Sequence, residues 1–163
     1  YRPIGVNRND FMALIQLRPD MPKDFRAVEW LAFASNAFNT MVPFYANVDT
    51  TPEYLSNTTG DVSTDNFYWA SRLLAAMADA SYAKSVFHIE RYTLSVAGKA
   101  NHLINTYDDA LRAETDPAAR AALREKANEE VAAMAKAETT DALNKVLFEL
   151  SCGMKNAYSR SDA

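Results

Sequence analysis

The sequence holds one cysteine, Cys152, only four glycines and only two histidines, His88 and His102. A single thiol excludes an internal disulfide and a multi-thiolate zinc centre. So few glycines leave no Gly-rich phosphate loop and no collagen-like or turn-repeat architecture. No apolar run approaches the ~20 residues of a membrane-spanning helix, and residues 1–10 carry no signal-peptide pattern. Seventeen Lys and Arg against 21 Asp and Glu leave a net charge of −4, which gives no electrostatic reason to bind nucleic acid or an anionic membrane. What the chain does have is apolar material. Of its 163 residues 48% are hydrophobic and 23% charged, enough for a real core in one ordinary domain or a piece of a larger one. It opens at Tyr1, without methionine, and soon enters an apolar stretch; the expectation is the downstream part of a longer polypeptide.

Two regions differ in their punctuation. Five of the six prolines fall at or before Pro52, and there the chain reads as strands and irregular connections. Phe11 to Leu17, interrupted only by Gln16, predicts a strand apolar on both faces and buried between two layers. Val28 to Ala34 repeats the theme. Met41 to Val48 is a third candidate, which Pro43 restricts to a strand start, an edge or a bulge. Asparagines in the connection between the last two favour a hairpin. Thr50 to Thr64 reads as a long polar connection. After it the period becomes helical. The first helix starts near Phe67 with Thr64 or Asp65 as its N-cap, the second near Lys84, and the third at Asp116-Pro117, where aspartate caps and proline suits the first helical position. Thr139-Thr140-Asp141 is a candidate break, and Gly98 suggests a close neighbouring backbone. The fold class is α+β, strand-rich over residues 1–62 and helical over 63–163, with long antiparallel helices.

No self-sufficient active site is visible. His88 and His102 stand fourteen positions apart on one helix, roughly 21 Å along its axis, so they cannot share a metal ion or serve one nucleophile. Both read as surface or packing residues. Cys152, beside Gly153 and among Leu147, Leu150 and Met154, reads as a small buried hydrophobe. Trp69 and Arg72 sit one turn apart, positioned for a cation–π contact or a substrate-facing pair. Arg2, Arg8, Arg18 and Arg26 lie at strand ends or in connections, where a guanidinium can grip a carboxylate with two hydrogen bonds. Asn57-Thr58-Thr59 is a glycosylation sequon with no secretory pattern behind it.

The order of several blocks says more. Arg2-Pro3-Ile4-Gly5-Val6-Asn7-Arg8, Gln16-Leu17-Arg18-Pro19, the run from Ala37 to Tyr45, Thr51-Pro52-Glu53-Tyr54-Leu55 and the run from Phe67 to Arg72 together resemble the C-terminal third of the C69 family of dipeptidases. The resemblance is dense from Arg2 to about Arg72 and diffuse beyond. It implies an N-terminal-nucleophile hydrolase built as an αββα sandwich, in which a processed cysteine attacks with its own α-amino group as general base. No cysteine of this chain matches that position, so the nucleophile is expected upstream. Residues 1–163 then form one C-terminal portion of a larger hydrolase domain, inactive alone. By analogy with related cysteine amidases, Arg26 is the best positional match for an arginine that supports the nucleophile or the acyl group. Asn36 and Asn39 are candidate donors to an oxyanion or a substrate carbonyl, with turn chemistry as the competing explanation. The implied partners are a dipeptide substrate, the remaining N-terminal part of the same protein and further copies in a homo-oligomer. No cofactor, metal, nucleic acid or membrane is implied, and the expected compartment is the cytoplasm. Two rival readings stay open: a non-catalytic module docking through its helices, and hydrolysis of another C–N amide on the same fold.

Overall fold

The computed structural model describes residues 9–154; Arg2, Arg8 and the block they bound lie outside the described residues. Strands β1 (Phe11–Leu17), β2 (Ala27–Phe33) and β3 (Val42–Tyr45) form one antiparallel sheet in that order. Helices α1 (Glu53–Ser56), α2 (Phe67–Ala80), α3 (Tyr82–Ala113) and α4 (Pro117–Cys152) follow. The chain is therefore α+β, with a small sheet first and long helices after it.

Side-chain alternation sends the two faces of the sheet into different cores. Val28 and Tyr45, directly opposite one another, pack with Phe25, Ile104, Tyr107 and Leu111. Leu31 and Val42, on the other face, pack with Phe44, Phe67 and Leu74. The α3 helix joins the cores, carrying Ile89, Tyr92 and Val96 into the second and Ile104, Tyr107 and Leu111 into the first. Each such side chain contributes about 1.5–3 kcal/mol by its burial.

Pro43 fits because β3 is an outer strand. The N–H of Ala46 points to β2, where it reaches Ala27 C=O at 3.1 Å, while that of Tyr45 points outward. Pro43 shares the parity of Tyr45, so the N–H it lacks would also face away from the ladder. The outward groups of Tyr45 meet α4. Its N–H donates to Asn128 Oδ1 at 2.8 Å and its C=O accepts from Asn128 Nδ2 at 3.0 Å. One amide side chain thus closes the strand edge.

Several local expectations change. The α2 cap is Asn66, whose Oδ1 accepts from Trp69 N–H at 2.8 Å, and not Thr64 or Asp65; the Asp65 carboxylate pairs with Lys136 Nζ at 3.0 Å instead. The α3 helix begins at Tyr82. Residues 50–64 contain one helical turn, α1, which buries Tyr54. The α4 helix runs unbroken through Thr139-Thr140-Asp141, because the buried Thr139 hydroxyl shares a 3.0 Å hydrogen bond with Tyr92 of α3. A tertiary contact there overrides a weak local propensity. A Cβ on Gly98 would meet nothing within 4 Å, so no backbone approaches it. Cys152 is exposed. At 100° per residue it lies about 120° around α4 from the buried Val146 and about 180° from Leu143.

The largest departure concerns β1. Leu14 and Ile15 are consecutive, hence on opposite faces, yet they are 53% and 67% exposed. The strand forms as expected, but apart from the half-buried Met12 its residues are exposed, and among the described residues nothing pairs with its outer edge.

Candidate functional site

Where β1 begins and β2 ends, a cleft of about 700 Å³ opens between Asp10, Ser35 and Phe38 on one side and Arg72, Asp79 and Tyr82 on the other. Its wall includes Ala34, which has φ 66°, a left-handed conformation that costs a residue with a Cβ roughly 1–2 kcal/mol. Two hydrogen bonds hold it there. Ala34 N–H donates to Asp10 C=O and Ala34 C=O accepts from Asn39 Nδ2, both at 3.0 Å. The Asn39 amide is therefore engaged in shaping the turn beside the cleft. Asn36 belongs to the same turn, between the cleft-lining Ser35 and Ala37.

Arg72 is held from three sides. Its Nη1 donates to the Asp10 carboxylate and, at 3.2 Å, to Tyr68 Oη; the Tyr68 hydroxyl donates in turn to Asp10 Oδ2 at 2.9 Å. The guanidinium stands 5.5 Å from the Tyr68 ring centre and 5.7 Å from that of Trp69. The Trp69–Arg72 contact expected from spacing is present, and Tyr68 and Asp10 complete it. With Arg72 and Asp10 side chains 43% and 52% exposed, this pair adds little stability; it fixes a cation at the cleft. Asp10 and Asp79 were not among the expected site residues. The signal that could have found Asp79 is the i, i+3, i+4, i+7 spacing of Arg72, Ala75, Ala76 and Asp79, which aligns them on one stripe of α2.

Arg26 stands at the opposite end of β2. Its Nε donates to Met21 C=O at 3.1 Å and its Nη2 to Pro19 C=O at 3.3 Å, so it braces the connection between β1 and β2. Beside it Arg18 forms an ion pair with Asp108 and donates from Nη2 to Phe25 C=O at 2.7 Å. Asp108 Oδ1 also accepts from the Tyr45 hydroxyl at 2.8 Å. Burial first, and then this hydrogen bond, push the Tyr45 phenol well above its usual range. The seven residues of β2 separate Arg26 from Asn36 and Asn39 by about 23 Å of strand. A dipeptide spans about 7 Å, so one bound molecule cannot touch both ends.

Other expected chemistry stays dispersed. His88 Nε2 lies 3.6 Å from Glu149 Oε1, and His102 is exposed. Among the described residues no group of three His, Cys, Asp or Glu is arranged to hold a metal ion, and no helix is long and apolar enough to cross a membrane.

The sequence pattern of Peptidase family C69 matches residues 1–95. A "Probable dipeptidase A" of Streptococcus pyogenes serotype M3 (strain SSI-1) is 39% identical over 99% of this chain and 34% of its own length. A "Dipeptidase" of Bifidobacterium longum (strain NCC 2705) is 34% identical over 99% of this chain and 37% of its own. For a "Probable dipeptidase B" of Lactococcus lactis subsp. lactis (strain IL1403) the figures are 31%, 99% and 34%. The chain thus spans about a third of the length of these curated relatives.

Proposed function

The chain belongs to peptidase family C69, and on that premise we propose that it supplies one wall of the substrate site in a cysteine-type dipeptidase whose nucleophile lies in another part of a longer protein. The observation that carries this reading is the match of 99% of the chain to proteins named dipeptidase. The open strand β1 supports it. In an αββα sandwich both sheets are covered by helices, and β1 is where the remaining N-terminal part would pair and pack. Residues 1–163 would then be one portion of a single hydrolase domain, not a domain of their own.

In this mechanism the thiol of a processed N-terminal cysteine attacks the dipeptide carbonyl while its α-amino group takes the proton. The tetrahedral intermediate collapses to a thioester as the protonated amine of the second residue leaves, and water then releases the first residue. Such a site uses no histidine and no metal, in keeping with two histidines that stand apart. Asn36 and Asn39 border the site through the turn beside the cleft. Arg26 stays outside it, at the far end of β2, as the brace of the β1–β2 connection. A cytoplasmic homo-oligomer completes the proposal.

The test is hydrolysis of Leu-Leu by the purified 163-residue chain and by the longer protein. The expected result is no turnover by the chain alone and turnover by the longer protein. Activity in the chain alone, abolished by Cys152→Ala, would overturn the reading; the exposure of that thiol makes it the control to include.

A further inference from the structure

One stripe of α2 presents opposite charges to the cleft. Arg72 and Asp79 both line it, with Ala75 and Ala76 between them. Seven residues of helix place the two Cα atoms about 10.5 Å apart along the axis. Side chains lean toward the helix N-terminus, so the longer Arg72 carries its charge further from Asp79 than the Cα spacing alone. Between them the wall is methyl groups only, which lets a ligand backbone lie close to the helix.

Asp79 breaks a local rule. It is the penultimate residue of α2, where the partial negative charge of the helix end disfavours a carboxylate. It is exposed and forms no ion pair among the described residues, so its carboxylate is available to a ligand. Arg72, by contrast, is braced yet not used up. Only its Nη1 is engaged, with Asp10 and Tyr68, which leaves Nε and Nη2 as donors without a partner among the described residues. Broken local rules are expected at functional or strained sites, and this one lines a cleft.

The geometry points to a length gauge for a zwitterion: Asp79 binds the α-ammonium and Arg72 the α-carboxylate of a dipeptide lying across Ala75 and Ala76. This rests on the dipeptidase reading for the identity of the ligand. The dimensions agree. An extended dipeptide separates its end charges by about 7 Å, and a tripeptide by about 10–11 Å. A charge-assisted contact of about 2.8 Å at each end puts the protein's charged atoms about 12–13 Å apart for a dipeptide and about 16 Å apart for a tripeptide. Two helical turns plus the extra reach of arginine suit the shorter ligand. Length selectivity then follows from two fixed charges on one rigid helix and needs no closed end to the pocket.

The test compares the longer protein with its Asp79→Asn variant on Leu-Leu and on the des-amino analogue of Leu-Leu as a competitive inhibitor. Asp79→Asn should raise KM for Leu-Leu at least tenfold, leave kcat within about threefold, and leave the inhibition constant of the analogue unchanged, since that molecule has no ammonium to lose. An unchanged KM, or an equal loss for both molecules, would overturn the gauge. Calorimetric binding of Leu-Leu to a form whose nucleophile is replaced by alanine separates the two ideas. Hydrolysis with an unaltered KM in Asp79→Asn leaves the dipeptidase and removes the gauge. Binding that depends on Asp79 without hydrolysis by the unmodified protein leaves the gauge and removes the dipeptidase. Absence of both hydrolysis and binding removes both.

Discussion

The two outer strands of one small sheet are finished in opposite ways. Along β3 every feature closes the edge: a proline whose absent N–H faces away from the ladder, four buried residues, and an asparagine from α4 that takes both free backbone groups of Tyr45. Along β1, among the described residues, nothing does. Phe11, Leu14, Ile15 and Leu17 are all more than half exposed, and none of the usual edge defences, a charge, a bulge or a proline, interrupts the strand. The same chain builds a guarded edge where α4 meets it and leaves an unguarded one elsewhere. An edge that stays an edge is usually defended, and the bare edge of β1 is what the proposed covering layer would account for.

The closed side gives the largest expected effect. Arg18 and Asp108 have side chains 12% and 5% exposed, and removal of one partner strands a buried charge. Breaking such a pair costs about 3–5 kcal/mol. Asp108→Ala should therefore lower the melting temperature of the protein by about 10 °C, at about 2–4 °C per kcal/mol for a chain of this size. Tyr45 keeps a second acceptor in Ile104 C=O at 3.3 Å, so most of the loss belongs to Arg18. A fall below about 3 °C in calorimetry would mean that water reaches the pair and that this side is less closed than β3 implies.

Next in size is the edge clasp itself. Asn128→Ala leaves the Tyr45 N–H and C=O without partners in a buried position. An unsatisfied buried group costs about 1–3 kcal/mol, so a loss of about 2 kcal/mol is expected in denaturant unfolding. The local signature is sharper than the global one. Hydrogen exchange at the Tyr45 amide should accelerate more than at the Val28 amide on the facing strand. Equal protection before and after the substitution would show that α4 shields the edge without the amide.

These residues mark what a reading of the sequence can and cannot reach. Phe11–Leu17 and Asp116-Pro117 were legible because their signals are local: an uninterrupted apolar run, and a cap followed by a proline. Asn128 was not, since it meets Tyr45 from 83 positions away and an asparagine in mid-helix carries no mark of that task. Thr139 looked like a helix break for the same reason; its partner, Tyr92, lies on another helix. At the site, the Trp69–Arg72 contact followed from helical spacing, whereas Asp10 joins Arg72 only through the sheet that places them side by side. Arg26 was proposed by analogy with related cysteine amidases, and Asn36 and Asn39 as amide donors in the expected hairpin. The antiparallel register sends Arg26 to one end of β2 and the asparagines to the other.

The smallest effect on stability is expected on the open side, where it is also the most instructive. Ile15 is 67% exposed, so in the isolated chain Ile15→Lys removes almost no packing and should change stability by less than about 0.5 kcal/mol. It should change association instead. An exposed apolar edge strand recruits other strands, and a lysine there opposes that pairing; sedimentation should show the unmodified chain as oligomers and the variant shifted toward monomer. In the longer protein the same lysine would be forced under the layer proposed to cover β1. Its burial without a partner is costly, and the expected result is a lower melting temperature together with lost hydrolysis of Leu-Leu. The two contexts thus give opposite signs for one substitution, relief in the chain and damage in the whole. A longer protein that tolerates Ile15→Lys with unaltered melting and turnover would mean that β1 stays open there too, and the contrast between the two edges would need another cause.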